Sequence, residues 1–312
     1  MFRVEKQKSR NFDELTAIQY GWDFTVSQLG PSKEASTVSL YQTDNVGYNR
    51  FRYSPAYDQR LRSRAGVLSF GVLDPDNPAT WAYDQLIPND AITVFPREDN
   101  LKAASPVGFC GSGVHFSESF MEDLAEQVYQ RGLESLVPAA GIYVPNPARL
   151  EILRLELQKW RQLEAYSADV RPAIISRREE SLALAVIDAV VDERVLEKDT
   201  STKSERAMVL ALEYIHGSEY ENISAVELCQ HANCSQRTLE KGFIKRFGVT
   251  PKKYIKYLRL SQVYRGLRDF ESQGCDSIIE LASIHGFWHM GQFAADYRRT
   301  YGELPSNTLT RK

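Results

Sequence analysis

Two stretches near the end of the 312-residue chain carry the same pattern: Ile223–Phe247, ISAVELCQHANCSQRTLEKGFIKRF, and Ser277–Tyr301, SIIELASIHGFWHMGQFAADYRRTY. Each reads as a short helix, a tight turn and a second helix. In the first, Ser224 followed three residues later by Glu227 predicts a capping box. Val226, Leu228 and Cys229 form that helix's buried side, Asn233 and Cys234 make the turn, and Ser235 caps the next helix. Leu239, Phe243 and Phe247 fall four apart and turn inward, which leaves Gln236, Arg237, Glu240, Lys241 and Lys245 outward. Gly248 stops the helix, and Thr250-Pro251 opens a long linking helix over Lys252 to Asp269. The second copy repeats this with Ile278, Ile279, Leu281 and Ala282 as the apolar positions, Gly286 at the turn and Phe287 as anchor. Phe293 and Tyr297 turn inward; His289, Met290, Gln292, Ala295, Asp296, Arg298 and Arg299 turn outward.

The second helix of such a unit fits the major groove of a duplex, and its N-terminal outward residues reach base edges. Gln236, Arg237, Glu240 and Lys241 in the first unit and His289, Met290, Gln292 and Ala295 in the second are therefore the expected base-reading positions. Ser235, Lys245, Thr250, Lys252, Lys253, Arg298 and Arg299 are placed for phosphates, where they set affinity and salt dependence but not sequence. The charge balance agrees once it is divided. The whole chain is at −3, but from Ser204 onward there are 15 Lys+Arg against 12 Asp+Glu, and Arg237 to Arg268 holds ten basic residues and one acid. A solvated face is the plain reading of such a run, but its position on a reading helix and its successor favours phosphate.

Outward from these units, the length predicts two domains. The polar stretch Glu197 to Ser204 reads as a linker, which puts a sensor or dimerisation domain at 1–200 and a DNA-binding domain at 204–312. Strands are expected from about 36 to 116. Tyr57 to Arg64 carries a charged residue at every even position, the period of a sheet with one wet face. Phe51, Tyr53, Phe70, Trp81, Tyr83 and Phe95 supply aromatic walls for an effector pocket, or simply a core. Helices are expected from about 117 to 198: one with Ser117, Phe120, Leu124 and Val128, one opened by Asn146-Pro147, and one over Arg171 to Glu197. The middle helix carries Leu150, Leu153, Leu157 and Trp160 on one stripe, which either packs on its own domain or meets its copy in a dimer. The expected class is α+β: a small barrel with helices, then an all-helical domain.

Other chemistry is disfavoured. Cys229, His231 and Cys234 lack a paired second half for a structural zinc. His115 is the only histidine before His216, too few imidazoles for a metal-dependent barrel enzyme. Neither a Walker loop, a dinucleotide glycine pattern nor a Ser-His-acid motif is legible, so no enzyme, cofactor or metal is expected. The polar start Met1 to Asp13 and the lack of a long apolar run predict a cytoplasmic protein with reduced cysteines.

Ser204 to Lys312 resembles the DNA-binding domain of the AraC/XylS family of bacterial transcription regulators. The resemblance lies in Cys234–Glu240 (CSQRTLE), Phe247–Ile255 (FGVTPKKYI), Arg259-Leu260 and above all Gly286–Ser306 (GFWHMGQFAADYRRTYGELPS). The wording around Trp288 is similar to the ethanolamine-operon regulator branch. The resemblance implies a cupin-like N-terminal barrel with dimer-forming helices, a small-molecule effector, a homodimer on double-stranded DNA, and activation through contact with RNA polymerase. The alternative is an N-terminal domain that only dimerises or binds a protein partner. Many family members have a small polar cap where Trp288 stands, so Trp288 is expected either to pack or to touch the DNA backbone.

Overall fold

The computed structural model of the chain describes residues 2–10, 12–16, 18–97, 100–166, 171–191, 193–197, 202–218 and 223–310. Strands occupy β1 (Arg3–Ser9), β2 (Trp22–Gln28), β3 (Ser36–Gln42), β4 (Val46–Arg52), β5 (Tyr57–Ser63), β6 (Val67–Leu73), β7 (Thr80–Ala82), β8 (Gln85–Ile87), β9 (Ile92–Val94), β10 (Leu101–Ser105), β11 (Cys110–Ser117) and β12 (Gly141–Tyr143), with a short helix α1 at Phe12–Thr16. β1 and β2 lie before Ser36, where sequence reasoning began its strands. Among the described residues these form two antiparallel sheets, ordered β1-β3-β4-β11-β6-β9-β12 and β2-β5-β10-β7-β8. The sheets face each other around an apolar core that includes Trp22, Phe51, Tyr53, Tyr57, Leu61, Leu101 and Ile142.

The outer face of the seven-stranded sheet is covered by α2 (Glu118–Leu124), α3 (Pro147–Arg161) and α4 (Arg171–Val190). Asn146 caps α3 by accepting from the Ala148 N–H at 2.9 Å, and Pro147 takes the first helical position. The α3 stripe inserts into this layer: Leu150, Leu153, Leu157 and Trp160 are at most 5% exposed. The dimer assignment for these four residues is therefore corrected, because their apolar surface is spent inside their own domain. The opposite side of α3 carries Ile152 and Leu155, 54% and 45% exposed. α2 widens into a π-turn over Ala125–Tyr129, which rotates the following positions off the stripe, so Val128, grouped with Phe120 and Leu124 in the sequence, is 52% exposed. α4 ends at Val190 rather than Glu197. Half of the predicted linker, residues 198–201, lies outside the described residues.

The outer face of the five-stranded sheet is covered by the C-terminal helices: α5 (Lys203–Gly217), α6 (Ala225–His231), α7 (Gln236–Phe247), α8 (Pro251–Arg268), α9 (Ile278–Ile284), α10 (Met290–Tyr301) and α11 (Pro305–Thr310). Their core takes in Leu29, Ala56, Trp81 and Ala104 from the sheet side. The order of layers is thus helices, seven-stranded sheet, five-stranded sheet, C-terminal helices. α5 begins with a Thr202/Glu205 capping box that sequence reasoning passed over.

Candidate nucleic-acid interface

Local sequence shapes both helix-turn-helix units. Ser224 and Glu227 exchange the predicted capping bonds, the Ser224 N–H donating to Glu227 Oε2 at 2.7 Å and the Glu227 N–H to Ser224 Oγ at 3.2 Å. Asn233 makes the turn in the left-handed region, φ 45°, where asparagine is tolerated better than most side chains. Ser235 then accepts from the Thr238 N–H. Leu239, Phe243 and Phe247 are buried, and the Tyr254 ring of α8 lies 5.3 Å from Phe243 and 4.6 Å from Phe247. α7 therefore rolls Gln236, Arg237 and Lys241 to solvent. Glu240 is half-buried and accepts from Gln236 Nε2 at 2.9 Å, so these two present themselves as a pair.

In the second unit Gly286 turns at φ 76°, where a side chain would strain the backbone. The Phe287 N–H donates to the Ala282 carbonyl, and the Phe287 ring meets Phe293 at 5.1 Å. His289, Gln292 and Ala295 are exposed on α10, and Met290 is half-buried against the domain core. Asp296, expected outward, is 4% exposed. It accepts from Lys256 Nζ at 3.2 Å and pairs with Arg299, so the α8–α10 contact draws it inward.

The phosphate candidates divide in the same way. Lys252, Lys253 and Arg298 are exposed, and Thr250 caps α8 without a side-chain bond to it. Lys245 is engaged: its Nζ lies 2.6 Å from Glu205 Oε1 and 5.5 Å from the centre of the Trp81 ring. A phosphate there competes with both. Arg246, which sequence reasoning passed over, is 4% exposed and binds Asp84 Oδ1 at 2.9 Å.

Arg246 belongs to a second contact surface, on the side of this domain away from the reading residues. Tyr254 Oη donates to Asp58 Oδ2 at 2.8 Å, and His216 Nε2 lies 3.9 Å from the same oxygen. Burial pushes Asp58 above the usual carboxylate range, against the pull of Tyr254 and Arg246. Burial, with Arg60 and Lys102 nearby, holds His216 down at about 3. Arg265 Nη1 donates to the Val26 carbonyl at 3.1 Å, and Gln28 Nε2 to the Thr300 carbonyl at 2.7 Å. The even positions of β5, expected to face water, are thus corrected at Asp58: the sheet face exists, but the C-terminal helices cover it. Arg62 and Arg64 do reach the surface, where both pair with Asp23.

Between the two sheets lies a cavity of about 60 Å³. Phe51, Tyr53 and Phe95 line it, together with Phe12, Trp22, Phe24 and Phe109, which sequence reasoning did not select. Of the remaining pocket predictions, Phe70 points to the opposite face of its sheet, into the α2–α4 core, and Trp81 faces the C-terminal helices. Tyr83 sits beside the cavity core and donates to the Val94 carbonyl at 2.7 Å. The lining has no Asp, Glu, Lys, Arg or His, and the buried Trp22 Nε1 has no acceptor among the described residues. A cleft of about 180 Å³ shares Phe12 and Phe24 with this cavity and continues past Tyr57 to Ser261, Tyr264 and Arg265 of α8.

Of the cysteine-histidine set considered for zinc, His231 packs its ring at a tilt against Tyr214, centroids 4.7 Å apart. The described residues close enough to share a cation are instead Asp74, Asp76 and Cys110, where Asp74 already pairs with Arg50. Among the described residues no helix is long and apolar enough to cross a membrane.

Comparison with a family model falls on the same part of the chain, and the first sequence relatives cover about a third of the chain's length. A family model described as a helix-turn-helix domain matches residues 228–311. The XylDLEGF operon transcriptional activator 1 of Pseudomonas putida is 36% identical over 115 residues, 37% of this chain and 34% of that protein. The chain therefore spans about a third of the length of the curated relatives it matches first. A solved structure of a probable AraC family transcriptional regulator from Rhodopseudomonas palustris is 31% identical, covers 34% of this chain and 95% of its own, and superposes with a TM-score of 0.31. The AraC-like transcriptional activator CuxR covers 85% of this chain and 96% of its own at 14% identity and a TM-score of 0.42.

Proposed function

The chain belongs to the AraC/XylS family of transcription regulators through its C-terminal helix-turn-helix domain, and from that premise we propose that it activates transcription from a specific duplex site under control of a small molecule held between its two β-sheets. α7 and α10 read the site. Arg237, Lys241 and Gln292 are the principal base-reading groups, and Lys252, Lys253 and Arg298 grip phosphate. The protein works in the cytoplasm, beside the DNA, as a homodimer that addresses RNA polymerase. The exposed Ile152 and Leu155 on α3 form its dimer seam. The sensor domain runs to about residue 200, and the reading domain follows.

The observation that carries the effector reading is the alternation of the five-stranded sheet. Gln59, Leu61, Leu101, Ala103, Thr80 and Ala82 line the cavity, while their neighbours Asp58, Trp81 and Ala104 touch the C-terminal helices. Successive side chains of a strand point to opposite faces, so one layer of backbone separates a ligand from the reading domain. The uncharged lining suits a neutral, largely apolar ligand, because an ionised group buried there finds no partner. The cavity of about 60 Å³ is smaller than the roughly 150 Å³ that holds a benzene. Occupation therefore requires Phe12 or Phe24 to rotate, which joins the cavity to the cleft that ends on α8.

The test pairs thermal unfolding with footprinting on operator DNA. Acetophenone, as an uncharged aromatic probe with an acceptor, is compared with benzoate, its charged counterpart. Stabilisation and an altered footprint with acetophenone alone support the reading. No response to either, with an intact footprint, leaves a purely dimerising N-terminal domain. A protein that ignores duplex DNA at low ionic strength sinks the regulator reading as a whole.

A further inference from the structure

We infer that Trp288 is a DNA-contacting residue whose indole lies against the sugar-phosphate wall of the groove that α10 enters. The inference rests on the DNA-binding reading above. Trp288 is 76% exposed, the highest value among the exposed large hydrophobic residues. Of the two roles expected for it, packing within its own chain is thus excluded. The cause is local. Gly286 turns the chain at φ 76°, and Phe287 is drawn inward by its N–H bond to the Ala282 carbonyl and by its ring contact with Phe293. The next residue is turned away from that core. It stands one position before His289, the N-cap of α10, beside the exposed His289 and Gln292.

The chemistry points to duplex backbone. An indole has a wide apolar face and a single N–H donor. Deoxyribose offers an apolar surface, and the adjoining phosphate offers acceptor oxygens. Both recur at every step of a duplex, so the contact adds affinity without reading sequence. The far end of the same helix carries the exposed cations Arg298 and Arg299, and Trp288 holds the near end to the groove wall.

The chain's other tryptophans make the test clean. Trp22, Trp81 and Trp160 are at most 4% exposed, so quenching of intrinsic fluorescence by acrylamide reports on Trp288. The full-length protein is titrated with a mixed-sequence duplex of about 40 base pairs, long enough for both reading helices, at low ionic strength, and complex formation is followed separately by mobility shift. Binding is expected to protect the fluorescence and shift it to the blue. Trp288→Ala should abolish that change and weaken the duplex by about tenfold, and Trp288→Phe, which keeps a ring, should recover most of the affinity. A complex in which Trp288 quenches as it does in free protein overturns the inference and leaves DNA binding standing. Protection that arises only when RNA polymerase is added also overturns it, by assigning the indole to a protein partner. Absence of any complex overturns both readings.

Discussion

Arg246 of the first reading helix is tied to Asp84, in the turn between β7 and β8, by a 2.9 Å ion pair in which the arginine side chain is 1% exposed. The pair joins α7, the helix proposed to face DNA, to the hairpin whose other face lines the cavity. Removing one partner of a fully buried pair costs about 3–5 kcal/mol; because Asp84 is 21% exposed and Arg246 keeps the Trp81 and Phe247 rings, the low end of that range applies here. Asp84→Ala should therefore lower the unfolding temperature sharply, while the double change Asp84→Ala with Arg246→Met should recover much of the loss. Equal destabilisation by the single and double variants would show that the pair does not couple the layers.

Base reading and phosphate gripping separate by experiment. Arg237→Ala should cost about 1–3 kcal/mol on the cognate site and relax preference at one base pair. Lys252→Ala combined with Lys253→Ala should weaken all duplexes alike and reduce the salt slope by about two. An Arg237 variant that loses as much on random DNA, or a lysine variant with an unchanged slope, contradicts these assignments.

His216 makes domain contact sensitive to pH. Its ordinary value is 6.5, and burial lowers it to about 3. A group depressed in the folded state contributes stability that is present above 6.5 and is lost as pH falls toward 3. The expected slope from this group is about 1 kcal/mol per pH unit at its steepest. His115, also held at about 3 by burial, adds in the same direction, whereas Asp58, pushed up by burial, acts oppositely. Unfolding measured from pH 7 to pH 4.5 should thus show a flatter decline for His216→Gln than for the wild type. Parallel curves would remove His216 from the interface energetics.

Two helical glycines should respond with opposite sign. Helix propensity alone predicts that Gly→Ala stabilises each by about 1 kcal/mol. A Cβ on Gly242 would lie 2.5 Å from the Ser204 carbonyl oxygen and 2.9 Å from Met208 Cβ, whereas one on Gly291 meets nothing within 4 Å. Gly291→Ala should stabilise, and Gly242→Ala should destabilise by about 1–3 kcal/mol because α5 and α7 must part. Thermal unfolding of both variants checks this, and a stabilised Gly242→Ala protein would refute the close approach.

The reading domain was legible because its determinants are local. The Ser224 cap, the left-handed turn at Asn233, the four-residue spacing of Leu239, Phe243 and Phe247, and the glycines at 248, 286 and 302 each act within one or two turns of the chain. The N-terminal domain was legible only in part. Alternation in β5 showed that its even positions differ from its odd ones, but both water and a second domain accept such a face. Aromatic content pointed to a lined cavity, yet Phe51 and Phe70 share one sheet and point to opposite sides of it.

By itself, then, the sequence determined the two helix-turn-helix units, the exposure of Gln236, Arg237, Lys241, His289 and Gln292, and the presence of a strand-rich partner, because caps, turns and periodicities are set by neighbours along the chain. Tertiary structure alone decided what covers each face. It turned the α3 stripe into core, drew Asp296 and Arg246 inward, left Trp288 in solvent and laid a single sheet between cavity and reading domain. Those outcomes depend on contacts between residues as far apart as Gln28 and Thr300, which no local pattern encodes.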